Sequence, residues 1–331
     1  MIRPYSQGCG IDTRASHMSA SGPLGADSDR ATRSHAPRPV APPYIPDLGS
    51  DGVEVGRKPP QSIDDALASS EKIVREAIAE FQPTHIVSMV SGGYDSGCSD
   101  AVAREIGFKP DLVMHGNTRC GIPETTEFVR ERYGQLGEYV EADAGTAYED
   151  YVLRKGFFGK GIAAHGFSYR VLKATPFRKA VSANIRHGKR NVRVMLLNGA
   201  RKDESENRQK HLQVSRRDPA APNNLWVNIV HDWSQELRDR YLRDRDVPLN
   251  PVARELCRSG ECMCGTMQSP QERAEAAAIY PKWGKWLTEL EGEARRLHGF
   301  GWGEPFPKAS QAQPSFDFQP MCKDCVHGTR P

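Results

Sequence analysis

The chain has 331 residues, with 45 Lys and Arg against 42 Asp and Glu and a formal net charge of +3. That length holds one large domain or two small ones, and the mild basic balance permits a nucleic-acid partner without requiring one. No apolar run approaches the roughly 18 residues of a membrane span, and the first residues are polar rather than leader-like, so the expectation is a cytoplasmic protein with no membrane partner.

Residues 1–60 are rich in Ser, Pro, Ala, Gly and Arg, with Pro37, Pro39, Pro42, Pro43 and Pro46 close together. Neither helical nor strand periodicity runs through them. A disordered tail is expected, because such a segment buries too little apolar surface to offset chain entropy. Ser62, with Asp65 three residues on, is a helix N-cap, and Ile63, Leu67, Ile73, Val74, Ile78 and Phe81 follow at about helical spacing until Pro83.

His85 to Val90 is a short apolar, β-branched run, which predicts a buried strand. Ser91-Gly92-Gly93-Tyr94-Asp95-Ser96-Gly97 comes next, and a helix is expected over Ser96 to Ile106. Two glycines at a strand-to-helix turn leave backbone N–H groups free to converge on an anion, with a helix N-terminus behind them. Ser91 and Ser96 add hydroxyls. Asp95 beside a phosphate site suits a ligand of Mg²⁺ or of a polarised substrate group. A plain tight turn with a capping serine is the alternative.

Further strands are expected at Leu112 to His115, Tyr139 to Ala142, Asn191 to Gly199 and Leu225 to Val230, with helices at Glu124 to Tyr133 and Ser234 to Arg245. Strands alternating with helices predict an α/β three-layer sandwich around a mostly parallel twisted sheet. Its ligand crevice lies beyond the carboxyl ends of the strands, where the loops starting at Ser91, Gly116 and Gly199 meet. Between Gly145 and His187, basic residues alternate with aromatic ones. That mixture suits phosphate contact and base stacking, or a solvated helical insert with a core of aromatics. Three regions are expected: the tail 1–60, a nucleotide-binding α/β domain 61–247 and a Cys-rich helical region 248–331.

Five of the eight cysteines fall late: Cys257, Cys262 and Cys264, then Cys322 and Cys325. Without a leader, clustered thiols indicate metal ligands rather than disulfides. The Cys262/Cys264 and Cys322/Cys325 pairs supply the four thiolates of a zinc site or a [4Fe–4S] cluster, with Cys257 as a spare ligand. For the two pairs to meet, a helical stretch from Gln271 to Leu297 has to turn the chain back. Cys120 is a further thiol in the second loop, either an inert small hydrophobe or a nucleophile.

The pattern Ser-Gly-Gly-x-Asp-Ser, the Pro123-Glu124-Thr125 helix start and Gly199-Ala200-Arg201 through Glu204, Ser205 and Arg208 together resemble the PP-loop ATP pyrophosphatases and the phosphoadenosine phosphosulfate reductase-like proteins. The stretch Arg258 to Gly265 is similar to the cluster-bearing region of the DNA phosphorothioation sulfurtransferase subunit. The resemblance implies that Ser91, Gly92, Gly93, Tyr94, Asp95 and Ser96 bind Mg-ATP. It implies nucleotide contacts from Asn117, Thr118 and Arg119, and from Gly199, Arg201, Glu204 and Arg208. Asp95, Arg201 and Cys120 are the expected catalytic groups. It further implies an adenylating sulfurtransferase with a [4Fe–4S] cluster or Zn²⁺, a DNA or tRNA acceptor, and a cysteine desulfurase or other sulfur donor. The alternatives are a sulfonucleotide reductase using Cys325, and a metal-containing nucleic-acid-binding module without catalysis.

Overall fold

The structure, a computed structural model, describes residues 59–307. The expectations for the first 58 residues and for Cys322 and Cys325 lie outside them.

Helix α1 (Ile63–Phe81) starts where Ser62 Oγ accepts a hydrogen bond from the Asp65 N–H, and it buries Ala66, Ile73, Val74, Ala77 and Phe81 along one face. Strand β1 (His85–Val90) follows, then α2 (Tyr94–Glu105), β2 (Leu112–Asn117), α3 (Pro123–Tyr133), β3 (Tyr139–Asp143) and α4 (Ala147–Lys155). A long helical run comes next: α5 (Ile162–Tyr169), a π turn (Arg170–Ala174), α6 (Thr175–Val181) and a second π turn (Ser182–Arg186). Strand β4 (Val194–Asn198), α7 (Glu206–His211), β5 (Ser215–Asp218), β6 (Ala221–Asn228) and α8 (Gln235–Asp244) complete the sheet region. Helices α9 (Pro251–Leu256), α10 (Pro270–Ile279) and α11 (Pro281–His298) end the described chain.

The six strands are ordered β3-β2-β1-β4-β6-β5. All neighbours pair in parallel except β5, which is antiparallel to β6. Side chains alternate across the sheet. Met195, Leu197, Leu225 and Val227 face α1, α2 and α8. Val87, Met89, Val194 and Leu196 face the helical run through Ala180, Val181 and Ile185. This is the expected three-layer sandwich. Among the described residues no helix is long and apolar enough to cross a membrane.

Four local expectations shift. The helix after the Gly-Gly turn starts at Tyr94, so Tyr94 and Asp95 occupy its first turn. Strand β5 escapes the sequence because Ser-Arg-Arg-Asp has no apolar alternation, which an edge strand does not need. Strand β6 runs over Ala221–Asn228 rather than to Val230. The stretch from Gln271 splits into α10 and α11 at Pro281, which cannot continue the hydrogen-bond ladder of α10.

A separate core unites both halves of the sequence. Cys120, Ile122, Tyr148, Phe157, Phe158 and Leu172 pack with Val252, Leu256, Cys264, Trp283, Leu287 and Trp302. The Cys-rich helices therefore share their interior with the second loop and α4.

Candidate functional site

The Ser91–Ser96 turn leaves the carboxyl end of β1 and folds around one hydroxyl. Ser96 Oγ accepts from the Ser91 N–H at 3.1 Å, lies 3.1 Å from Ser91 Oγ and donates to the Gly93 carbonyl at 2.9 Å. Gly92 has φ +74°, a left-handed conformation that glycine adopts without strain, and a Cβ there would meet Thr125 Cγ2 at 2.7 Å. Asn250 braces the turn from outside, its Nδ2 donating to the Gly92 carbonyl at 3.0 Å. The Ser91 and Gly93 N–H groups donate within the turn, to Ser96 Oγ and Ser91 Oγ, and a cradle of this shape stands at the N-terminus of α2, where backbone N–H groups suit an anion.

Asp95 faces away from that cradle's centre, into a guanidinium clamp. Its Oδ1 accepts from Arg201 Nε and from Arg238 Nη1, both at 2.6 Å. Arg201 is 2% exposed, and its Nη1 also donates to the Trp233 carbonyl at 3.3 Å. Burial opposes the charge of Arg238, and the Asp95 and Asp239 carboxylates outweigh it, so its pKa rises. Gly199 lets the third loop close on the first: a Cβ there would sit 2.3 Å from the Asp95 carbonyl oxygen. Glu204 Oε1 accepts from the Arg201 backbone N–H at 2.8 Å and also pairs with Arg208 Nη1.

The three loops open on one crevice of about 580 Å³. Ser91, Ser96, Gly116, Ala200 and Arg208 line it at the strand ends. The helical run supplies its opposite wall with His165, Tyr169, Lys173 and Phe177. Twelve residues of unbroken α-helix rotate the last of these about 120° from the first. The π turn at Arg170–Ala174 takes in an extra residue and recovers about 100° of that, which keeps all four on one line. Lys173 Nζ pairs with the Glu261 carboxylate across the crevice floor. Burial works against the Lys173 charge, but Glu261 outweighs it and raises the pKa.

Behind Glu261 lies a thiol pocket. Thr118 Oγ1 donates to the Glu261 carbonyl at 2.6 Å, and Ile122 N–H donates to the Gly260 carbonyl at 2.8 Å, zipping the second loop to residues 259–261. This brings Cys120 to Cys262, which also neighbours Cys264. Cys264 Sγ lies 3.3 Å from Thr266 Oγ1 and 3.6 Å from Ser168 Oγ. Trp283 Nε1 donates to the Cys120 carbonyl at 3.2 Å, and Tyr148 closes the pocket, fully buried. Hydrogen bonds within the trio raise the Cys262 pKa, whereas the Cys262 contact, with His165 and Thr266, lowers that of Cys264.

Residues 85–267, more than half of the chain, match the family described as the phosphoadenosine phosphosulfate reductase domain. The chain belongs to that family. Among solved structures, it is similar to phosphoadenylyl-sulfate (PAPS) reductase from Candida auris in its phosphate complex, at 16% identity and a TM-score of 0.40, covering 58% of this chain and 89% of that one. No curated protein matches.

Within this member of the phosphoadenosine phosphosulfate reductase domain family, the expected site residues have distinct surroundings. Asp95 Oδ1 is held by two guanidinium groups, those of Arg201 and Arg238. Asn117, Thr118 and Arg119 turn to Glu141, the Glu261 carbonyl and Asp143, and Gly116 is the crevice residue of that loop. Tyr94 lies outside the crevice, under the Arg238 guanidinium at 5.7 Å. Cys120 is fully buried, beside Cys262. Glu204 orients Arg208 with its carboxylate and Arg201 only through the backbone. Cys257 caps α9 in a left-handed conformation, exposed to solvent and outside the trio's contacts. Among the described residues no group of three or more His, Cys, Asp or Glu side chains stands ready as a metal-ion site. Arg238, Asn250, His165 and Lys173 were missed as site residues. Arg238 had one visible signal, a charged residue between inward-facing Leu237 and Tyr241.

Proposed function

We propose that the chain is an ATP-dependent adenylating sulfurtransferase-like enzyme. The observation that carries this reading is the intact Ser91–Ser96 cradle, closed around Ser96 Oγ and opening onto the crevice with Arg208. Backbone N–H groups of the cradle bind the phosphates, and Arg208 neutralises charge that develops on the leaving group. Asp95, Arg201 and Arg238 act as positioning residues that fix the start of α2 against the third loop. A substrate oxygen attacks the α-phosphorus, the α–β phosphoanhydride bond breaks, and pyrophosphate departs with the bonding electron pair. The terminal sulfur of a persulfide delivered by a desulfurase or another sulfur donor then attacks the activated substrate, the bond to the AMP oxygen breaks, AMP departs with the bonding electron pair, and a thiol reductant cleaves the resulting disulfide to leave the sulfur on the substrate.

Cys262 and Cys264, with Cys120 now beside them, fit a thiophilic group by donor chemistry. They are soft thiols in a pocket walled by Tyr148 and Trp283. Cys322 and Cys325 remain the candidates for completing the set. An iron–sulfur cluster there supplies electrons or sulfur, whereas Zn²⁺ supplies a structural clamp.

The reductase alternative draws on the family match and needs Cys325 as nucleophile. Pyrophosphate assays with ATP, run beside sulfite assays with a sulfonucleotide and a thiol reductant, separate the two. Pyrophosphate formation that requires Ser96 is the expected result. Sulfite release without any pyrophosphate from ATP overturns the reading in favour of a reductase.

A further inference from the structure

Charge is distributed very unevenly along this chain. Residues 151–200 hold eleven Lys and Arg and no Asp or Glu. The rest has 34 Lys and Arg against 42 Asp and Glu, so it is net negative. Lys173 is paired with Glu261, but Arg186 donates to the Asn224 side-chain carbonyl, Arg193 to that of Gln82, and Lys160 to the Gln268 backbone carbonyl. These acceptors are neutral.

The basic residues also follow a path. The helical run from Ile162 to Arg186 extends about 37 Å from the crevice towards the amino edge of the sheet. Lys179, Lys189 and Arg190 stand exposed along its lower part and the turn after it. At its upper part Phe177 and Trp226 meet edge to face with ring centroids 6.5 Å apart, both half-buried and both lining the crevice. Arg216, opposite Trp226 in the β5–β6 register, lines the same wall. A cationic ridge that leads into an aromatic platform offers phosphate contacts and stacking surfaces in series.

We propose that this ridge binds a single-stranded nucleic acid and guides one nucleotide over Phe177 and Trp226 into the crevice. The proposal deepens the sulfurtransferase reading by naming its acceptor class, and binding can be measured without turnover. A single strand suits the site because bases must be splayed to reach half-buried rings.

The test is fluorescence anisotropy of the full chain with labelled 20-nucleotide DNA and RNA strands between 50 and 200 mM salt. Binding should be saturable and weaken as salt rises. Lys179→Glu, Lys189→Glu and Arg190→Glu combined should weaken it at least tenfold and flatten the log–log salt slope by about 2, from roughly 0.7 per phosphate contact. Trp226→Ala should weaken it at least fivefold, with the salt slope unchanged. The relative affinities of the DNA and RNA strands identify the acceptor. ATP affinity, measured on the same samples, should stay within twofold in the triple variant. No saturable binding at 50 mM salt, equal binding by the triple variant, tighter binding of a blunt duplex, or equal competition by polyglutamate at matched charge each overturns the proposal. A chain that binds the strand but releases no pyrophosphate from ATP counts against the sulfurtransferase reading alone.

Discussion

The Ser91–Ser96 cradle and the thiol pocket flank the same short segment, residues 259–261, yet they are built in opposite ways. The cradle is local: Ser96 reaches partners no more than five residues away. The thiol pocket is assembled across the chain, with Thr118 to Glu261 separated by 143 residues and Trp283 to Cys120 by 163. A local turn can keep its shape while its surroundings change. A pocket made of distant segments holds its thiols together only while the core around it is intact. The cradle should therefore fail by losing chemistry, and the pocket by losing stability.

The largest expected effect breaks that contrast where a charged side chain of the cradle is held by distant residues. Asp95→Ala leaves the nearly buried Arg201 guanidinium without its hydrogen-bonded carboxylate, with only Asp203 3.7 Å away. Removing one partner of a buried pair costs about 3–5 kcal/mol. Pyrophosphate formation should fall on the order of 10²–10³ when the positioned donors are lost. Urea unfolding and a pyrophosphate assay on the same preparation measure both. Unchanged stability would show that the clamp does not anchor α2.

Trp283→Ala tests the pocket. Its ring is 2% exposed, and truncating such a residue costs about 3–5 kcal/mol. Chemical denaturation should show this loss, while isothermal titration of ATP below the unfolding midpoint shows little change. A large drop in ATP affinity would mean that the two regions are coupled more tightly than their hydrogen bonds indicate.

Cys120→Ser sharpens the comparison chemically. Under the proposed thiol-bound metal, protein purified anaerobically with this change should carry much less iron or zinc than the unchanged chain, as with Cys262→Ser and Cys264→Ser, and Cys257→Ser should match the unchanged chain. Full metal content in Cys120→Ser would restrict the site to the late cysteines.

Ser96→Ala is smaller in stability and confined to the cradle. One hydroxyl that bridges Ser91 N–H and the Gly93 carbonyl is worth about 1 kcal/mol to the fold. Turnover should fall at least tenfold, with thiol-bound metal unaffected.

The smallest effect is a pH dependence beneath both regions. His115 on β2 is fully buried, with Nδ1 donating to the Val90 carbonyl at 2.9 Å, and burial lowers its pKa. The unfolded chain then binds a proton that the folded chain refuses. Stability from this group is present above the unfolded value near 6.5 and declines as pH falls below it, by at most about 1.4 kcal/mol per pH unit. His115→Gln should flatten that part of a stability-against-pH curve measured by urea unfolding.

Much of the sheet and the cradle was legible because their signals are short-range. The β-branched run before Ser91, the two glycines and the serine spacing all act within a few residues. The fold class followed from strands alternating with helices, and so did the meeting of loops 91, 116 and 199 at the carboxyl edge. Roles that depend on orientation were less legible. Asn117, Thr118 and Arg119 lie in the expected loop, but their side chains serve the protein, because Glu141, Asp143 and residue 261 come close only in the folded chain.

By itself, then, the sequence determined five of the six strands, the turn chemistry and the family to which residues 85–267 belong. Periodicity and backbone freedom are properties of neighbouring residues, so they are written locally. Tertiary structure alone decided that Arg238 and Arg201 share Asp95, that Cys120 joins Cys262 and Cys264, and that a π turn aligns His165, Tyr169, Lys173 and Phe177 on one wall. Each depends on which distant surfaces pack together, and packing selects partners by shape and buried charge rather than by spacing along the chain.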